Sequence, residues 1–329
     1  MNIILSIVIP VYKVEPYINK CLDSLILQDE KKMELMDVLI VNDGTPDRSA
    51  EMSREYVKRY PHTFRQIDKE NGGHGSVWNL GLIEAQGKYL HFLDSDDWFE
   101  TETLSWLIDE LMHQDADMVI TPTLCHCPGD ELWKLEIKDM EFGKVYDADK
   151  FDWLGNRSHG NYIFHHCATY KTSMFRPLYP LFLEHQPYDD VILGAAPIYA
   201  AKSLVAFDKI LYHYLMDREG QSISSEVRKL NQNALFNTKT YTIRFIEEHP
   251  ITDKTSTKYA YFKVKLPKRY SSEYKPVFED GYSANKQRIA KWDRWVRLSN
   301  PKISSKVIKL YRLLPFCLYW IICKLVLKK

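Results

Sequence analysis

The stretch Tyr89-Leu90-His91-Phe92-Leu93-Asp94-Ser95-Asp96-Asp97-Trp98 decides the fold class of this chain. Its first five residues are apolar apart from one His and predict a buried strand, which ends in three acids within four positions. Three carboxylates packed together repel one another unless a positive charge lies among them. Because Mg²⁺ and Mn²⁺ prefer such oxygen ligands, the stretch predicts a divalent metal site. A turn capped by Asp is the alternative.

The composition is that of a folded globular protein. The chain has 329 residues, of which 45% are hydrophobic and 27% are charged, and this balance excludes a disordered chain. Its six Cys are scattered without an obvious disulfide framework, and its first residues lack the basic start of a signal peptide. We therefore expect a reducing, cytoplasmic setting.

The strand before the acids belongs to an alternating series of strands and helices. Such a series predicts an α/β fold with a Rossmann-like, mostly parallel sheet that is flanked by helices. The predicted strands are Ile3 to Ile9, Asp37 to Val41, Phe64 to Ile67, Tyr89 to Leu93 and Asp117 to Ile120. The predicted helices are Glu15 to Gln28, Asp47 to Tyr60, Gly75 to Ala85, Thr101 to Gln114 and, later, Val227 to Glu248.

Polar clusters follow three of these strands. They are Pro10-Val11-Tyr12, Asn42-Asp43-Gly44 and Asp94 to Asp97. In open α/β sheets, ligands bind outside the carboxyl ends of the strands. We therefore expect the three clusters to lie close together in space and to form a ligand site.

The C-terminal end is strongly basic. Nine Lys or Arg and no acid follow Asp293, so the first 293 residues carry a net charge of −9 in a chain whose formal net charge is zero. Lys302, Lys306 and Lys309 alternate with apolar residues at helical spacing, and Leu313 to Cys323 is an unbroken apolar run. This run is too short to span a bilayer, and with its basic flanks it predicts a helix lying in the membrane interface. A final core helix or a dimer contact is the alternative.

The motifs together resemble the family 2 glycosyltransferases. The resemblance covers roughly residues 4 to 100 in order and spacing. It rests on Ser6 to Tyr12, Val41-Asn42-Asp43-Gly44-Thr45, Asn71-Gly72-Gly73, Asn79-Leu80-Gly81 and Leu93 to Asp97. It implies a GT-A fold, a nucleotide-diphosphate sugar donor, a divalent metal, and inversion at the anomeric carbon. Val77-Trp78 stands where family members often have Ala-Arg, which leaves the role of that Arg open.

The resemblance assigns donor contacts to residues of these motifs. Asp43 would accept hydrogen bonds from the nucleobase, uracil in a UDP-linked donor, while Pro10 and Tyr12 would shape the base pocket. A turn or helix cap is the alternative for Asp43, and an ordinary core position is the alternative for Tyr12. The further predicted donor contacts are Asn71, Gly73, Asn79, Asp94 and Arg218, the last to the diphosphate.

The acids of the opening stretch receive separate roles. We predict that Asp96 contacts the donor ribose or the metal, that Asp97 binds the metal, and that Asp94 supports them. The metal, Mn²⁺ or Mg²⁺, would neutralise charge as the nucleotide leaves.

A second acidic pair supplies the predicted catalytic base. Asp189-Asp190 precedes an apolar segment, as an acidic pair does in the family, and we predict that Asp190 deprotonates the acceptor hydroxyl. The charge of Asp189 would raise the pKa of Asp190. N-capping of a helix that begins at Val191 is the alternative.

These assignments divide the chain into regions. We predict a GT-A domain over 1–230, with a nucleotide-sugar half at 1–121 and an acceptor half at 122–230. A helical extension covers 231–300, and the membrane-associating tail covers 301–329. The predicted partners are a nucleotide-sugar donor, a glycan or lipid-linked glycan acceptor, and the inner face of the cell membrane.

Other classes of protein remain as rivals. A nucleotidyltransferase on a similar sheet would show a Gly-rich basic loop after the first strand. In this chain, Lys13 alone offers a basic side chain there. A non-catalytic nucleotide-sugar-binding module is disfavoured by the intact acids. Cys125-His126-Cys127 and His165-His166-Cys167 offer zinc-like ligands, but their spacing matches no structural zinc pattern. We expect no nucleic-acid partner, because no recognition motif accompanies the basic tail.

Overall fold

The computed structural model describes residues 2–135, 140–153, 165–216, 227, 231–265, 274–275, 281–299 and 306–327. The chain divides into two compact units. The first comprises Met1–Phe151 with Gly155–Thr238, and the second comprises Asp152–Leu154 with Lys239–Lys329. Our boundaries at 230 and 300 remain predictions, because compactness alone does not show that a region folds independently.

The first third of the chain alternates strands and helices, as the sequence predicts. The strands are β1 (Leu5–Val11), β2 (Met36–Asp43), β3 (Phe64–Lys69) and β4 (Tyr89–Phe92). The helices are α1 (Ile18–Asp23), α2 (Glu30–Met33), α3 (Ser49–Arg59), α4 (His74–Glu84) and α5 (Thr101–His113).

The rest of the first unit is built from shorter pieces. Its strands are β5 (Trp98–Phe99), β6 (Met118–Ile120), β7 (Thr123–His126), β8 (Leu132–Leu135), β9 (Tyr146–Asp147), β10 (Ala168–Lys171), β11 (Ser203–Ala206) and β12 (Tyr212–Leu215). The helices are α6 (Thr172–Phe175) and α7 (Ala196–Ala200), and 3₁₀ turns occur at Pro128–Asp130, His165–Cys167, Arg176–Leu178 and Asp189–Gly194.

The strands form two sheets. The larger has eight strands in the order β3-β2-β1-β4-β10-β6-β11-β9. Neighbours pair in parallel from β3 to β4 and between β6 and β11, whereas β10 and β9 run antiparallel to their neighbours. The smaller sheet has the order β5-β12-β7-β8. The predicted α/β fold with a mostly parallel sheet is therefore confirmed.

The pattern of apolar residues explains why the sheet is covered. Every residue of β1 is buried, as expected of a strand with helices on both faces. In α5, Leu104, Leu107, Ile108 and Leu111 repeat at helical spacing and are all 0% exposed. Each such side chain contributes about 1.5 to 3 kcal/mol by leaving water.

One prediction about local structure is corrected, and one feature of the fold was missed. The helix predicted over Glu15 to Gln28 is confined to Ile18–Asp23, because the Ser24 hydroxyl donates to the Cys21 carbonyl and accepts from the amide of Phe99. The second sheet was not predicted at all. Its strands are two to four residues long, too short for a hydrophobic period to appear in the sequence.

The second unit is helical in its described part. Its helices are α9 (Thr257–Ala260), α10 (Gly281–Ser299), α11 (Lys306–Leu313) and α12 (Phe316–Leu327), and α8 (Gln232–Glu248) runs across the boundary between the units. Asp293 is 6% exposed and accepts hydrogen bonds from Tyr274, Arg297 and Arg312. In the described part of the chain, no helix has the length and apolar character needed to cross a membrane.

Candidate active site

The three polar clusters lie at one edge of the larger sheet. Strands β2, β1 and β4 are adjacent and parallel, with Val11 opposite Asn42 and Val8 opposite Phe92. Their carboxyl ends therefore face the same side, and the prediction that the clusters converge is confirmed.

The first cluster borders solvent at the end of β1. Pro10 is buried, whereas Tyr12 is 43% exposed and the ammonium of Lys13 lies 5.2 Å from the centre of its ring. The amide of Lys13 donates to the Thr45 hydroxyl, which ties this loop to the end of β2. Tyr12 thus presents a ring face that is available for stacking.

Asp43 organises the second cluster. It is 3% exposed, and its carboxylate accepts hydrogen bonds from the Lys69 ammonium at 2.7 Å, the Gly72 amide at 2.8 Å and the Gly73 amide at 2.9 Å. The Asn71 side chain donates to the Asp43 carbonyl. Asp43 therefore fixes the glycine loop, and its predicted contact with a nucleobase stays a prediction.

The glycine loop packs closely against residues 183–185. Gly73 has φ +80°, and the His185 amide donates to the Gly72 carbonyl at 2.6 Å. A Cβ on Gly75 would lie 2.2 Å from the Leu183 carbonyl oxygen. Glycine is needed here because the two backbones touch.

Gly75→Ala is expected to lower the free energy of unfolding by about 2 kcal/mol, the usual cost of overpacking. Inside a helix such as α4, the same change ordinarily stabilises by about 0.5 to 1 kcal/mol, so the sign of the effect tests the contact with Leu183. Urea denaturation monitored by circular dichroism measures it.

Gly143→Ala is the matched control. Gly143 also lies in the first unit, and the nearest atom to a Cβ placed there is 3.9 Å away, although its φ of +78° adds strain. We expect this control to leave the site intact. A Gly75→Ala protein as stable as the wild type would contradict the described packing.

Asn79 holds the segment that leads to the second acidic pair. It is 3% exposed, and its side-chain oxygen accepts from the amides of Leu181 and Phe182. Its side-chain nitrogen donates to the Phe182 carbonyl and to the Glu184 carboxylate. These four bonds give Asn79 a positioning role, and its predicted donor contact stays a prediction.

The acids of the third cluster face different surroundings. Asp97 is 1% exposed and accepts from the Tyr212 hydroxyl at 2.6 Å and the Leu215 amide at 2.8 Å. Burial and the charges of Asp96 and Asp94 raise its pKa well above the usual range. Asp96 is half-buried, whereas Asp94 faces a group of His side chains. The metal role of Asp97 stays a prediction. The bonds from Tyr212 and Leu215 already engage both oxygens of its carboxylate.

His74 connects the two acidic regions. Its Nδ1 lies 3.0 Å from Asp189 Oδ2, and its Nε2 lies 3.1 Å from Asp94 Oδ1. Although burial lowers the pKa of His74, the two carboxylates raise it well above the usual range. A charged His74 therefore stabilises both acids in their ionised form.

Asp190 lies beside this bridge in the 3₁₀ turn Asp189–Gly194. Burial, followed by the charge of Asp189, raises the pKa of Asp190 to about 6. Tyr188, immediately before the pair, has the left-handed conformation with φ +65°. A carboxylate with a pKa near 6 can accept a proton at neutral pH, as a general base must.

Two further histidines lie against Asp94. His165 Nε2 lies 3.2 Å and His166 Nε2 lies 3.8 Å from Asp94 Oδ2. Although burial raises the pKa of Asp94, hydrogen bonds from its three His neighbours hold that pKa well below the usual range. Burial, followed by His166, lowers the pKa of His165 to about 4. Asp94, His165 and His166 could together hold a metal ion, their ligand atoms lying within 4.8 Å of one another.

Sequence reasoning missed His74, His165 and His166 as site residues. His74 stood in the glycine loop, and the His165-His166 pair appeared only as part of the disfavoured zinc set. Cys125 and His126, from the same set, lie in β7. His126 bonds to His213 at 2.8 Å, and burial raises the pKa of Cys125 to about 12. Arg218, predicted to bind the diphosphate, lies outside the described residues.

Comparison with solved structures identifies the class of fold. Residues 1–349 of S. aureus TarS, in complex with UDP-GlcNAc, superpose with a TM-score of 0.70 over 98% of this chain and 89% of that one, at 19% identity. The mannosyltransferase PcManGT of Pyrobaculum calidifontis, in complex with GDP-Man and Mn²⁺, gives a TM-score of 0.52 over 98% of this chain and 86% of that one, at 13% identity. These likenesses show the GT-A fold.

Sequence comparison shows the family. The profile of glycosyl transferase family 2 matches residues 6–178, and the chain belongs to that family. The putative glycosyltransferase EpsH of Bacillus subtilis (strain 168) is 30% identical over an alignment of 222 residues. The alignment covers 64% of this chain and 60% of EpsH. The chain spans smaller shares, 20% and 33%, of two other curated relatives that it matches.

Proposed function

We propose that the protein is an inverting glycosyltransferase that moves a sugar from a nucleoside-diphosphate donor, UDP-linked, to an acceptor hydroxyl of a cell-surface glycan. The observation that carries the proposal is the arrangement around His74. This residue joins the acidic loop after β4 to the pair Asp189-Asp190, and Asp190 has a pKa of about 6. Asp94 is proposed to face the donor, and Asp190 has a pKa close to neutral pH. An acid at the donor and a base of this pKa, linked through His74, suit this transfer.

The donor is proposed to lie over the carboxyl ends of β1, β2 and β4. The exposed ring of Tyr12 offers stacking to the base, and Asp43 holds the glycine loop of Asn71 and Gly73 in place through the amides of Gly72 and Gly73. Pro10 and Asp43 are proposed for the base, and Asp94 and Asp96 for the ribose and the metal. Membership of family 2 and the nucleotide-sugar complexes among its structural neighbours support this placement.

The reaction is proposed as a single displacement. Asp190 accepts the proton of the acceptor hydroxyl, and that oxygen forms a bond to the anomeric carbon. The bond from this carbon to the diphosphate oxygen breaks, and the nucleoside diphosphate leaves with the electron pair. A bound divalent cation supplies charge neutralisation for the diphosphate. Attack from the face opposite the leaving group inverts the anomeric configuration.

The anomeric outcome tests this proposal. Proton NMR of the transfer product reports the configuration of the new glycosidic bond, which does not mutarotate because it is an acetal. We expect a β-linked product from an α-linked UDP-sugar. A product that retains the α configuration would exclude a single displacement assisted by Asp190.

We propose that the C-terminal helices attach the protein to an anionic membrane surface, at the cytoplasmic face, where a lipid-linked glycan acceptor would be available. Tyr319 and Cys323 face inward in α12, at 0% and 6% exposure. Leu318, Ile321 and Leu325 recur at helical spacing and are 47%, 51% and 70% exposed. Lys306, Lys309 and Lys324 are exposed in the same two helices, α11 and α12. Exposed apolar and basic side chains together suit an anionic lipid surface.

Replacing Leu318, Ile321 and Leu325 by Ser is expected to weaken vesicle binding at least about a hundredfold, since each buried side chain contributes about 1.5 to 3 kcal/mol. Flotation with phosphatidylglycerol vesicles measures the bound fraction. Truncation is unsuitable because Arg312 and Tyr319 bond within the second unit. The control replaces Ile83, Met112 and Leu132, exposed apolar residues of the first unit, by Ser. Equal flotation of the α12 variant and the wild type would refute the attachment.

A further inference from the structure

We propose that Asp94, His165 and His166 form a binding site for a first-row transition-metal cation, with Mn²⁺ and Co²⁺ bound in preference to Mg²⁺. The ligand atoms are Asp94 Oδ2 and the Nε2 atoms of the two imidazoles, at 3.2 and 3.8 Å from that oxygen. The inference rests on the proposed function in one respect: it takes this ion to be the one that faces the donor diphosphate.

The topology brings these three residues together. β10 pairs antiparallel with β4, with Tyr170 opposite Leu90 and Lys171 opposite Tyr89. His166 lies two residues before the start of β10, and Asp94 lies two residues after the end of β4. The 3₁₀ turn His165–Cys167 therefore meets the acidic loop where both leave the sheet. The juxtaposition follows from strand pairing rather than from a chance contact of surface side chains.

Two of the three separations between the ligand atoms are close to those around a shared ion. Metal–nitrogen and metal–carboxylate bonds are about 2.0 to 2.2 Å long, so two ligands of one ion lie about 3 to 3.5 Å apart. The separation of 3.2 Å between His165 and Asp94 falls within this range, and that of 3.8 Å for His166 exceeds it by a few tenths of an ångström.

The imidazoles are fixed before any ion binds. His165 is 5% exposed and lies edge-on to Trp78 at 4.8 Å. His166 is 8% exposed. Its ring stacks on Tyr214, with ring centres 4.6 Å apart, and meets Tyr212 edge-on, with ring centres 4.8 Å apart. Ligands that are held by packing lose little conformational freedom on binding, and affinity rises accordingly.

The ligand types select the metal. Imidazole nitrogen suits first-row transition metals, whereas Mg²⁺ prefers oxygen and retains its water. Two imidazoles and one carboxylate leave positions for water or diphosphate oxygens. The site differs from the predicted pair Asp96 and Asp97. Both carboxylate oxygens of Asp97 already accept protein hydrogen bonds.

Spectroscopy on the wild-type protein tests the site without any donor or acceptor. Electron spin echo envelope modulation of the Mn²⁺-loaded protein detects directly bound ¹⁴N, and we expect coupling to two imidazoles. Co²⁺ titration should give one equivalent with visible absorption bands, and a tenfold excess of Mg²⁺ should leave them unchanged. Mn²⁺ bound without nitrogen coupling, or displaced by equimolar Mg²⁺, would overturn the proposal.

Variants identify the ligands. His165→Gln and His166→Gln are each expected to weaken Co²⁺ binding at least about tenfold, since even loss of a group that supports a ligand costs 10- to 100-fold. His113→Gln, at an exposed position at the end of α5, controls for adventitious binding by surface histidines. Loss of binding in Asp96→Asn, with both His variants unaffected, would assign the metal to the acid predicted from sequence and overturn the proposal.

The outcomes separate this site from the proposed function. Nitrogen-coupled Mn²⁺ in a protein that hydrolyses no nucleotide sugar would leave the site standing and remove the function. Sugar transfer by a protein whose bound Mn²⁺ shows no nitrogen coupling would support the function and refute the site.

Discussion

Asp190→Asn is expected to reduce sugar transfer about 10²- to 10⁴-fold, the usual contribution of a general base, while nucleotide binding is retained. The amide has the shape of the carboxyl group but cannot accept the acceptor's proton. Steady-state release of nucleoside diphosphate measures kcat, and calorimetry measures the affinity for UDP.

The stability of this variant distinguishes a catalytic role from a structural one. The pKa of Asp190, about 6, lies above its ordinary 3.8, so the fold disfavours the ionised form at neutral pH. Asp190→Asn should therefore be at least as stable as the wild type at pH 7. A variant that is both inactive and unstable would favour the capping alternative.

The same pKa sets the acidic limb of the pH–rate profile. The base form of Asp190 predominates above pH 6 and is lost below it, so kcat/KM should fall tenfold per pH unit on the acidic side of about pH 6. Asp208→Asn is the matched control, because Asp208 pairs with Lys134 at the surface. Full activity in Asp190→Asn would exclude Asp190 as the base.

Asp43→Ala is expected to lower the free energy of unfolding by about 3 kcal/mol, because it removes the buried partner of the ion pair with Lys69 and the acceptor of two backbone amides. The Gly72 and Gly73 amides lose their acceptor, and Lys69 keeps its bonds to Ser76 and the Glu70 carbonyl. We also expect UDP affinity to fall at least about tenfold, since the glycine loop and the proposed base contact are lost together.

A double-mutant cycle with Lys69→Met separates these two effects. The coupling in stability between Asp43 and Lys69 should lie between about 0.5 and 3 kcal/mol, as for residues in direct contact. If Lys69→Met keeps UDP affinity while Asp43→Ala loses it, the loss comes from the other contacts of Asp43, to the glycine loop or to the base, and not from the ion pair. If Asp43→Ala binds UDP as the wild type does, the proposed base contact is refuted.

The regular part of the fold could be predicted from sequence because local signals agree there. The strands that lead to Pro10, Asn42 and Asp94 are mostly apolar, and the helices between them have clear periods. Parallel pairing then fixes which ends meet. The convergence of the polar clusters follows from topology, without knowledge of any side-chain contact.

The contacts of individual site residues could not be predicted in the same way. Asp96 and Asp97 are neighbours in sequence, yet Asp97 turns to Tyr212 and Leu215, more than a hundred residues away. Asn79 bonds to residues 181–184, about a hundred positions away, and the local sequence gives no sign of these contacts. The link from His74 to Asp189 spans 115 positions, and no local pattern carries that information.

The shortness of β10 explains why His165 and His166 could not be predicted as site residues. His165 and His166 reach Asp94 only because β10, four residues long, enters the sheet antiparallel beside β4. A strand of that length has no recognisable period, so its direction and neighbours are fixed by packing rather than by propensity.

The release of nucleotide from a panel of nucleotide sugars tests the central claim most directly. UDP-, GDP- and dTDP-linked sugars are incubated with the full chain and Mn²⁺, with and without a membrane-derived glycan fraction, and the released nucleoside diphosphate is measured. We predict UDP release from one UDP-sugar, raised by the acceptor and lost in Asp190→Asn. Formation of pyrophosphate from a nucleoside triphosphate and a sugar phosphate, with no release from any nucleotide sugar, would contradict the account.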